Sequence, residues 1–150
     1  MRLFSGRPKN SYTIIVGCGR LGANLANTLS DENRDILIID KKSDSFRKLS
    51  PSFGGMVVTG DATDMNVLRS AEIENATALI AVTNNDNTNI LIAQLAKEMF
   101  SVDLVIARLY NPECESVYNE LGIDTICPHL LSSSEIDKLL SKPVAVGQLL

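Results

Sequence analysis

The residues with the clearest chemical meaning are the three glycines in Gly17-Cys18-Gly19-Arg20-Leu21-Gly22. This G-x-G-x-x-G spacing is typical of a loop that holds a phosphate. The first glycine allows a tight turn, the second lets the backbone approach the phosphate, and the third lets helix and strand pack closely. Free amides at the start of the following helix attract an anion. We therefore predict that these six residues bind the phosphates of a nucleotide.

An acidic residue follows this loop at the distance expected of a ribose-binding acid. Asp40 lies 23 residues after Gly17, at the end of the next apolar run. Its carboxylate can accept both hydroxyls of an adenosine ribose, and its charge would repel a 2′-phosphate. We therefore expect NAD(H) or ATP/ADP as ligand, with NADP disfavoured. The choice between the two ligand types stays open, because both contain adenosine and phosphate. Lys41 is included in the predicted site.

Polar residues also follow two later apolar runs, where loops line the crevice of such folds. Asp61 can accept a hydrogen bond from the adenine amino group, while Ala62 and Thr63 can pass under the ring. Thr83 and Asn84 can meet ribose or phosphate. All five are predicted to bind the nucleotide.

Two arginines are further candidates. Arg20 lies inside the glycine loop, where it can fold over the phosphates and neutralise their charge. Arg108 ends the fifth apolar run at the same rim. It can reach a phosphate, pair across a subunit boundary or form a local salt bridge, and these alternatives stay open.

The three cysteines form no C-x-x-C pair and are odd in number, so we expect no disulfide framework and a reducing compartment. Cys18 belongs to the predicted phosphate loop, where its side chain is best explained as a small filler. Cys127 and His129 are two residues apart. Two residues do not make a metal site, so no metal is expected.

Strand and helix patterns alternate along the chain. Short apolar runs, typical of strands buried on both faces, occupy residues 12–16, 36–39, 56–59, 78–82, 104–107 and 125–127. Helical patterns occupy about residues 20–30, 46–53, 64–71, 90–99, 112–121 and 132–140. Such alternation produces parallel strands joined by right-handed crossovers. We predict an α/β fold of the Rossmann type, with a doubly wound parallel six-stranded sheet in the order 3-2-1-4-5-6.

Local signals predict some of the helix ends. Pro51 should shorten the second helix. Asp64 can cap the third. Ser132 and Glu135 form a capping-box pattern, which predicts that the last helix begins at Ser132.

Composition limits the class of protein. A chain of 150 residues suits one domain, which we place at residues 12–142, between an N-terminal arm (1–11) and a tail (143–150). The net charge of −4 argues against a nucleic-acid partner. No stretch approaches the roughly 18 apolar residues of a membrane span. The first ten residues lack the apolar core of a signal peptide.

Taken together, these motifs resemble the RCK domain, the regulator of K⁺ conductance, also called the TrkA N-terminal domain. The resemblance covers about residues 12–140. It is carried by Ile15-Val16-Gly17-Cys18-Gly19-Arg20-Leu21-Gly22, Ile39-Asp40, Gly60-Asp61-Ala62-Thr63-Asp64, Ala81-Val82-Thr83 with Asp86 and Asn89, Ile106-Ala107-Arg108, and Leu121-Gly122-Ile123-Asp124 with Pro128.

The resemblance implies a cytosolic regulatory subunit or domain of a K⁺ channel or of a Trk/Ktr-type K⁺ uptake system. It would be peripheral to the inner membrane through the transporter subunit. Such domains bind NAD(H), ATP or ADP, form homodimers and often octameric rings, and gate transport by a change of shape. The resemblance makes Arg20 the phosphate-loop arginine and Asp40 the ribose acid, with Asp61, Ala62 and Thr63 bordering the adenine. The C-terminal subdomain of the family is expected to be absent.

The apolar residues of the last helix independently favour self-association. Ile136, Leu139 and Leu140 would be exposed in a monomer, and contiguous apolar patches usually mark interaction sites. We expect a symmetric dimer that exchanges this helix. The alternative is that the helix folds back on its own sheet edge.

A small NAD-dependent dehydrogenase is the alternative function, and a scaffold with a vestigial pocket is a third. A Rossmann fold alone assigns no function. A dehydrogenase needs an acid–base group near the nicotinamide and a substrate pocket. The chain has one histidine, and none of its three tyrosines has a lysine four residues on. We therefore predict a regulatory binding domain that is not an enzyme.

Overall fold

Six parallel strands form one sheet. They are β1 (Tyr12–Val16), β2 (Asp35–Asp40), β3 (Met56–Thr59), β4 (Ala78–Ala81), β5 (Leu104–Arg108) and β6 (Asp124–Ile126). Their order is β3-β2-β1-β4-β5-β6, and every neighbouring pair is parallel. The computed structural model describes residues 11–144, so most of the predicted arm and tail lie outside it. The predicted α/β class and strand order are confirmed.

Helical segments connect the strands. The α-helices are α1 (Arg20–Asp31), α2 (Met65–Ser70), α3 (Asp86–Gln94), α4 (Glu115–Glu120) and α5 (Pro128–Leu140). Short 3-10 turns cover Ser43–Lys48, Ile73–Asn75 and Pro112–Cys114, and a π-helical turn, Leu95–Met99, continues α3. Asp64 caps α2 as predicted, because its side chain accepts a hydrogen bond from the Asn66 amide. Within residues 11–144, no helix is long and apolar enough to cross a membrane.

The predicted second helix at residues 46–53 is wrong. A 3-10 turn over Ser43–Lys48 takes its place and ends before Pro51. The aromatic and aliphatic residues behind that prediction, Phe46, Leu49 and Phe53, still pack against the core beside α1. The apolar spacing therefore indicates which residues of this segment are buried. It does not indicate a helix, because an irregular segment can bury the same residues.

The predicted start of the last helix is also wrong. Helix α5 begins at Pro128, four residues before the capping-box serine, Ser132. Cys127 is extended and its carbonyl accepts hydrogen bonds from the amides of Leu130 and Leu131. A proline suits the first helical turn, because it has no amide to leave unpaired and its φ is already helical. This signal outweighs the capping-box pattern.

Two apolar clusters cover the two faces of the sheet. The larger contains Ile14, Leu37 and Leu79 with buried residues of α2 and α3, and the smaller contains Ile15 and Ile38 with α1. Successive strand residues alternate between the clusters because side chains of a strand point to opposite faces. Each fully buried aliphatic side chain contributes roughly 1.5–3 kcal/mol. These clusters hold the carboxyl ends of the strands in place, where the candidate site lies.

Candidate functional site

A cavity of about 460 Å³ opens at the carboxyl ends of the strands. It lies beside β1 and β4, where the strand order reverses, and this is where α/β sheets bind ligands. Ten of the residues predicted from the sequence line it: Gly17, Cys18, Gly19, Asp40, Lys41, Asp61, Ala62, Thr83, Asn84 and Arg108. Its size is within the range of small-molecule sites, roughly 300–1,000 Å³.

The three glycines of the loop meet different surroundings. Gly17 has φ +105°, and a Cβ there would lie 2.9 Å from the backbone of Val82 and Thr83. A Cβ on Gly22 would collide with the Gly17 carbonyl, whereas a Cβ on Gly19 would meet nothing within 4 Å. The first and third glycines are therefore required by the fold itself. Gly19 is the position at which a side chain would occupy open space beside the cavity.

The carboxylate of Asp40 connects the end of β2 to the glycine loop. Its Oδ2 accepts a hydrogen bond from the Cys18 amide at 2.8 Å, and its Oδ1 accepts one from the Lys42 amide at 2.8 Å. A carboxylate offers about four acceptor positions, so about two remain for other donors. Asp40 can therefore hold the loop and still accept the hydroxyls of a ribose.

Cys18 uses all its polar atoms to tie the loop to the segment after β2. Besides the bond to Asp40, its thiol donates to the Ser45 carbonyl at 3.3 Å, and its carbonyl accepts from Lys48 Nζ at 3.3 Å. The thiol is fully buried. Burial, and then the nearby Asp40 charge, raise the pKa of the Cys18 thiol, although the Lys48 charge opposes them. The raised pKa favours the neutral thiol, and the buried side chain agrees with its interpretation as a small filler.

Asp61 is held by its own loop. The Thr63 hydroxyl and amide both donate to its Oδ1, at 2.7 and 2.9 Å. These two bonds are the main reason why the pKa of Asp61 is lowered. Its Oδ2 lies 3.6 Å from Lys41 Nζ, which joins the loops after β2 and β3. Ala62, the next residue, is buried and lines the cavity.

The opposite wall of the cavity is formed by the ends of β4 and β5. The Arg108 guanidinium donates to the carbonyls of Val82 and Thr83, at 3.0 and 2.7 Å, and its carbon lies 5.2 Å from the centre of the Tyr110 ring. Among the described residues Arg108 takes part in no ion pair with a carboxylate, so the local salt bridge, one of the three alternatives for this residue, is not formed. The Thr83 hydroxyl donates to Asn89 Oδ1 at 2.6 Å.

Four predicted residues do not line the cavity. Arg20 and Leu21 are exposed at the start of α1, Gly22 is buried against Gly17, and Thr63 supports Asp61 from outside. Their binding roles stay predictions.

Other lining residues were not predicted. Lys42, Ser45 and Lys48 approach from the 3-10 turn after β2, and Asn85 and Thr88 come from the start of α3. The position of Lys42, two residues after β2, was an available signal, because such loops line the crevice. Lys48 lies further along the chain and reaches the cavity only through the turn. Its contact with Cys18 had no local signal.

Cys127 and His129 approach each other, with Sγ 3.3 Å from Nδ1. Within residues 11–144, no group of three or more histidine, cysteine or acidic side chains is placed to hold a metal ion.

Comparison with known proteins gives consistent matches. Residues 13–128 match the family model described as the TrkA-N domain. The chain is 46% identical over 115 residues to the Trk system potassium uptake protein TrkA of Streptomyces coelicolor, covering 77% of this chain and 52% of that protein. The chain thus spans about half the length of this relative.

Solved structures agree in fold and include complexes with nucleotides. The GsuK channel bound to NAD has a TM-score of 0.77 at 28% identity, covering 93% of this chain and 25% of that chain. GsuK bound to ADP has a TM-score of 0.73 at 28% identity, covering 88% of this chain and 34% of that chain.

Proposed function

This chain belongs to the TrkA-N domain family, and from that premise we propose that it is a nucleotide-sensing regulatory domain of a K⁺ uptake transporter or channel. The observation that carries the proposal is the cavity at the strand-order reversal, which is lined by both Gly19 and Asp40. Potassium transport is supported by the TrkA relative. The domain would act at the cytoplasmic face of the inner membrane through a transporter subunit.

The ligand we propose is an adenine nucleotide, either NAD(H) or ATP/ADP. Two acceptor positions of Asp40 suit the ribose hydroxyls, and the start of α1 suits a phosphate, because free amides and the helix dipole favour an anion there. The same carboxylate would repel a 2′-phosphate, so NADP is disfavoured. The solved complexes of GsuK with NAD and ADP support both ligand types.

We propose regulation rather than catalysis. The single histidine of the chain, His129, is not among the residues that line the cavity. A ligand shifts a conformational equilibrium only as far as its affinities for the two states differ. Arg20 and the loops around Asp61 and Thr83 are the proposed sensors, because nucleotides differ in the phosphate and ring contacts made there. A dehydrogenase, the alternative, would show turnover with NAD⁺.

Calorimetric titration with NADH, NADPH, ADP and ATP tests the ligand. NADH or an adenosine phosphate should bind and NADPH should bind at least about tenfold more weakly, since burying unpaired like charges is costly. Asp40→Ala should weaken NADH binding. Asp44→Ala is the matched control, because Asp44 is an exposed acid near the site that does not line the cavity. Equal affinity for NADH and NADPH contradicts the ribose assignment, and no binding by any of the four contradicts the function.

Transport is tested in cells that lack their own Trk regulator. Co-expression of this chain with a Trk-type membrane subunit should increase K⁺ uptake or alter its dependence on nucleotide, and Gly19→Val should abolish the effect. An uptake rate that is unaffected by the chain would contradict the regulatory assignment. That outcome would not bear on nucleotide binding, which the calorimetric titration tests separately.

We also propose a homodimer, from which a ring of up to eight copies can be built. Every residue from 129 to 140 is exposed, including Leu131, Ile136, Leu139 and Leu140. On the sheet, Ile15, Ile80 and Ile106 form one row. Ile15 is fully buried near α1, whereas Ile80 and Ile106 are only partly covered. An α5 from a second copy would cover this part of the sheet.

Sedimentation equilibrium at micromolar concentration tests the dimer. A single 16.3 kDa species would contradict it. Leu139→Asp should shift the protein toward monomer, because it places a charge in the proposed contact. The control is Ser133→Asp, the same charge at an exposed polar position of the same helix. Equal effects of the two changes would contradict the role of the apolar side of α5.

A further inference from the structure

The amide side chain of Asn89 is fully buried and makes four hydrogen bonds. Its Oδ1 accepts from the Thr83 amide at 2.8 Å and from the Thr83 hydroxyl at 2.6 Å. Its Nδ2 donates to the carbonyl of Thr83 at 3.0 Å and to the carbonyl of Arg108 at 2.9 Å. A primary amide has two donors and two acceptor positions, so all of them are used.

These bonds join the two strands that form one wall of the cavity. Thr83 follows β4 and Arg108 ends β5, and the Arg108 guanidinium returns to the Val82 and Thr83 carbonyls. Asn89 therefore bridges the two strand ends, and it holds Thr83 through the amide, the carbonyl and the side-chain hydroxyl. Buried polar networks that are fully satisfied are rigid.

Asp86, one turn earlier on α3, extends the same support. Its carboxylate accepts from the amides of Tyr110 and Asn111, at 2.9–3.0 Å. The start of α3 thus holds both loops that follow β4 and β5. Neither Asp86 nor Asn89 lines the cavity, so both act through the residues that do.

The cavity has two halves, which are lined by residues from different strands. Over β1, β2 and β3 it is lined by the glycine loop, Asp40 and Asp61. Over β4 and β5 it is lined by Val82, Thr83, Asn84, Asn85, Thr88 and Arg108. A dinucleotide spans the crevice of such a fold, with one nucleotide on each side of the reversal point. A mononucleotide such as AMP needs only the half that holds its adenosine.

We propose that Asn89 is a positioning residue that preforms the β4–β5 half of the cavity, and that it thereby determines the preference for a dinucleotide over a mononucleotide. The inference rests on the proposed nucleotide-binding function. It assigns the second nucleotide of a dinucleotide to the wall formed by the ends of β4 and β5. Preforming a site increases affinity because less ordering has to occur on binding.

Two substitutions break the network in different ways. Asn89→Asp keeps the shape but replaces the two donors by an acceptor that faces the Thr83 and Arg108 carbonyls. Asn89→Ala removes all four bonds without adding a charge. The control is Asn75→Asp, the same chemical change at an exposed residue beyond the 460 Å³ cavity. Thr83→Val provides a milder variant if the others unfold, because it removes the 2.6 Å hydroxyl bond to Asn89 and two 3.3 Å contacts with the Asn85 backbone but keeps the other three bonds of Asn89.

The experiment is calorimetric titration of the full chain and its variants with NADH and with AMP. In the unmodified chain NADH should bind more tightly than AMP. Asn89→Asp and Asn89→Ala should weaken NADH binding about tenfold or more, the scale of one or two lost hydrogen bonds, and change AMP binding by less than about twofold. Thr83→Val should lower the NADH-to-AMP affinity ratio to a smaller extent, and Asn75→Asp should not alter it.

The affinity ratio separates positioning from a purely structural role. Equal loss of NADH and AMP affinity, or an unchanged ratio in every variant that folds, would overturn the inference while leaving the adenosine site in place. Equal affinity of the unmodified chain for NADH and AMP would also overturn it. If the unmodified chain binds neither ligand, the proposed function itself is overturned.

Discussion

The Oδ2 atom of Asp40 lies 2.8 Å from the Cys18 amide nitrogen, and this hydrogen bond joins the end of β2 to the phosphate loop across 22 residues of chain. The residue proposed to recognise the ribose therefore also sets the position of the loop proposed to recognise the phosphate. Because one side chain does both, its loss affects ligand affinity and stability together.

Asp40→Ala should weaken NADH binding by roughly 1–3 kcal/mol, because it removes ribose acceptors and leaves donors unpaired. It should also lower Tm, since the amides of Cys18 and Lys42 both lose a partner. Calorimetry and thermal melts measure the two effects. Asp44→Ala is the control, and it should change neither. An Asp40→Ala protein that binds NADH normally would exclude Asp40 from the ribose site.

Substitutions at two glycines of the loop should affect different properties, ligand binding at Gly19 and stability at Gly22. Gly19→Val should abolish nucleotide binding with little change in Tm, because its side chain would meet open space where the phosphate must come. Gly22→Ala should lower Tm by several degrees or prevent folding, since its Cβ would collide with the Gly17 carbonyl. Thermal melts and calorimetry on both variants give the comparison. Undiminished binding by Gly19→Val would place the ligand elsewhere.

Thiol labelling should separate the three cysteines. Cys114 is exposed and should react rapidly at pH 8. Cys18 and Cys127 are both buried, and the pKa of Cys18 is also raised, so both should react only after denaturant is added. Cys114→Ser should therefore have no rapidly reacting thiol while folded. Mass spectrometry identifies the labelled residue, and rapid labelling of Cys18 would contradict the buried position of its side chain.

Tyr12 should make the fold sensitive to alkali. Its hydroxyl donates to the Ala71 carbonyl at 2.6 Å, and burial, followed by the charges of Glu72 and Asp35, raises its pKa from 10.0 to about 12. A raised pKa means that the folded state favours the neutral phenol. The stability from this group is complete below pH 10 and is lost as pH rises toward 12.

Urea unfolding at a series of pH values tests this dependence. Tyr12→Phe should be less stable than the unmodified chain below pH 10 by about 1 kcal/mol, the value of one hydrogen bond. The difference should shrink as pH rises toward 12. The ultraviolet absorbance difference between the two proteins follows ionisation of the Tyr12 phenol. A difference in stability that does not vary with pH would contradict the raised pKa.

Local sequence signals determined the fold class and the first half of the site. Short apolar runs are a property of consecutive residues, and the first three of them end at Gly17, Asp40 and Gly60. The six strands, the glycine loop and Asp40 could therefore be identified from the sequence. Asp64 was predicted as a cap for the same reason, since a cap bonds to amides two or three residues away. The resemblance to the TrkA N-terminal domain, which the family match confirms, also rested on such short segments.

Tertiary structure decided which side chains face the cavity. Thr63 and Arg20 follow the right motifs yet lie outside it, while Lys48 reaches it through a 3-10 turn. The four bonds of Asn89 join residues 6 and 19 positions away, and the two strand ends meet only because β4 and β5 are neighbours in the sheet. Sequence by itself determined what the local backbone could offer a nucleotide. Packing decided which side chains are presented to it, because a side chain's direction depends on neighbours that are distant in the chain.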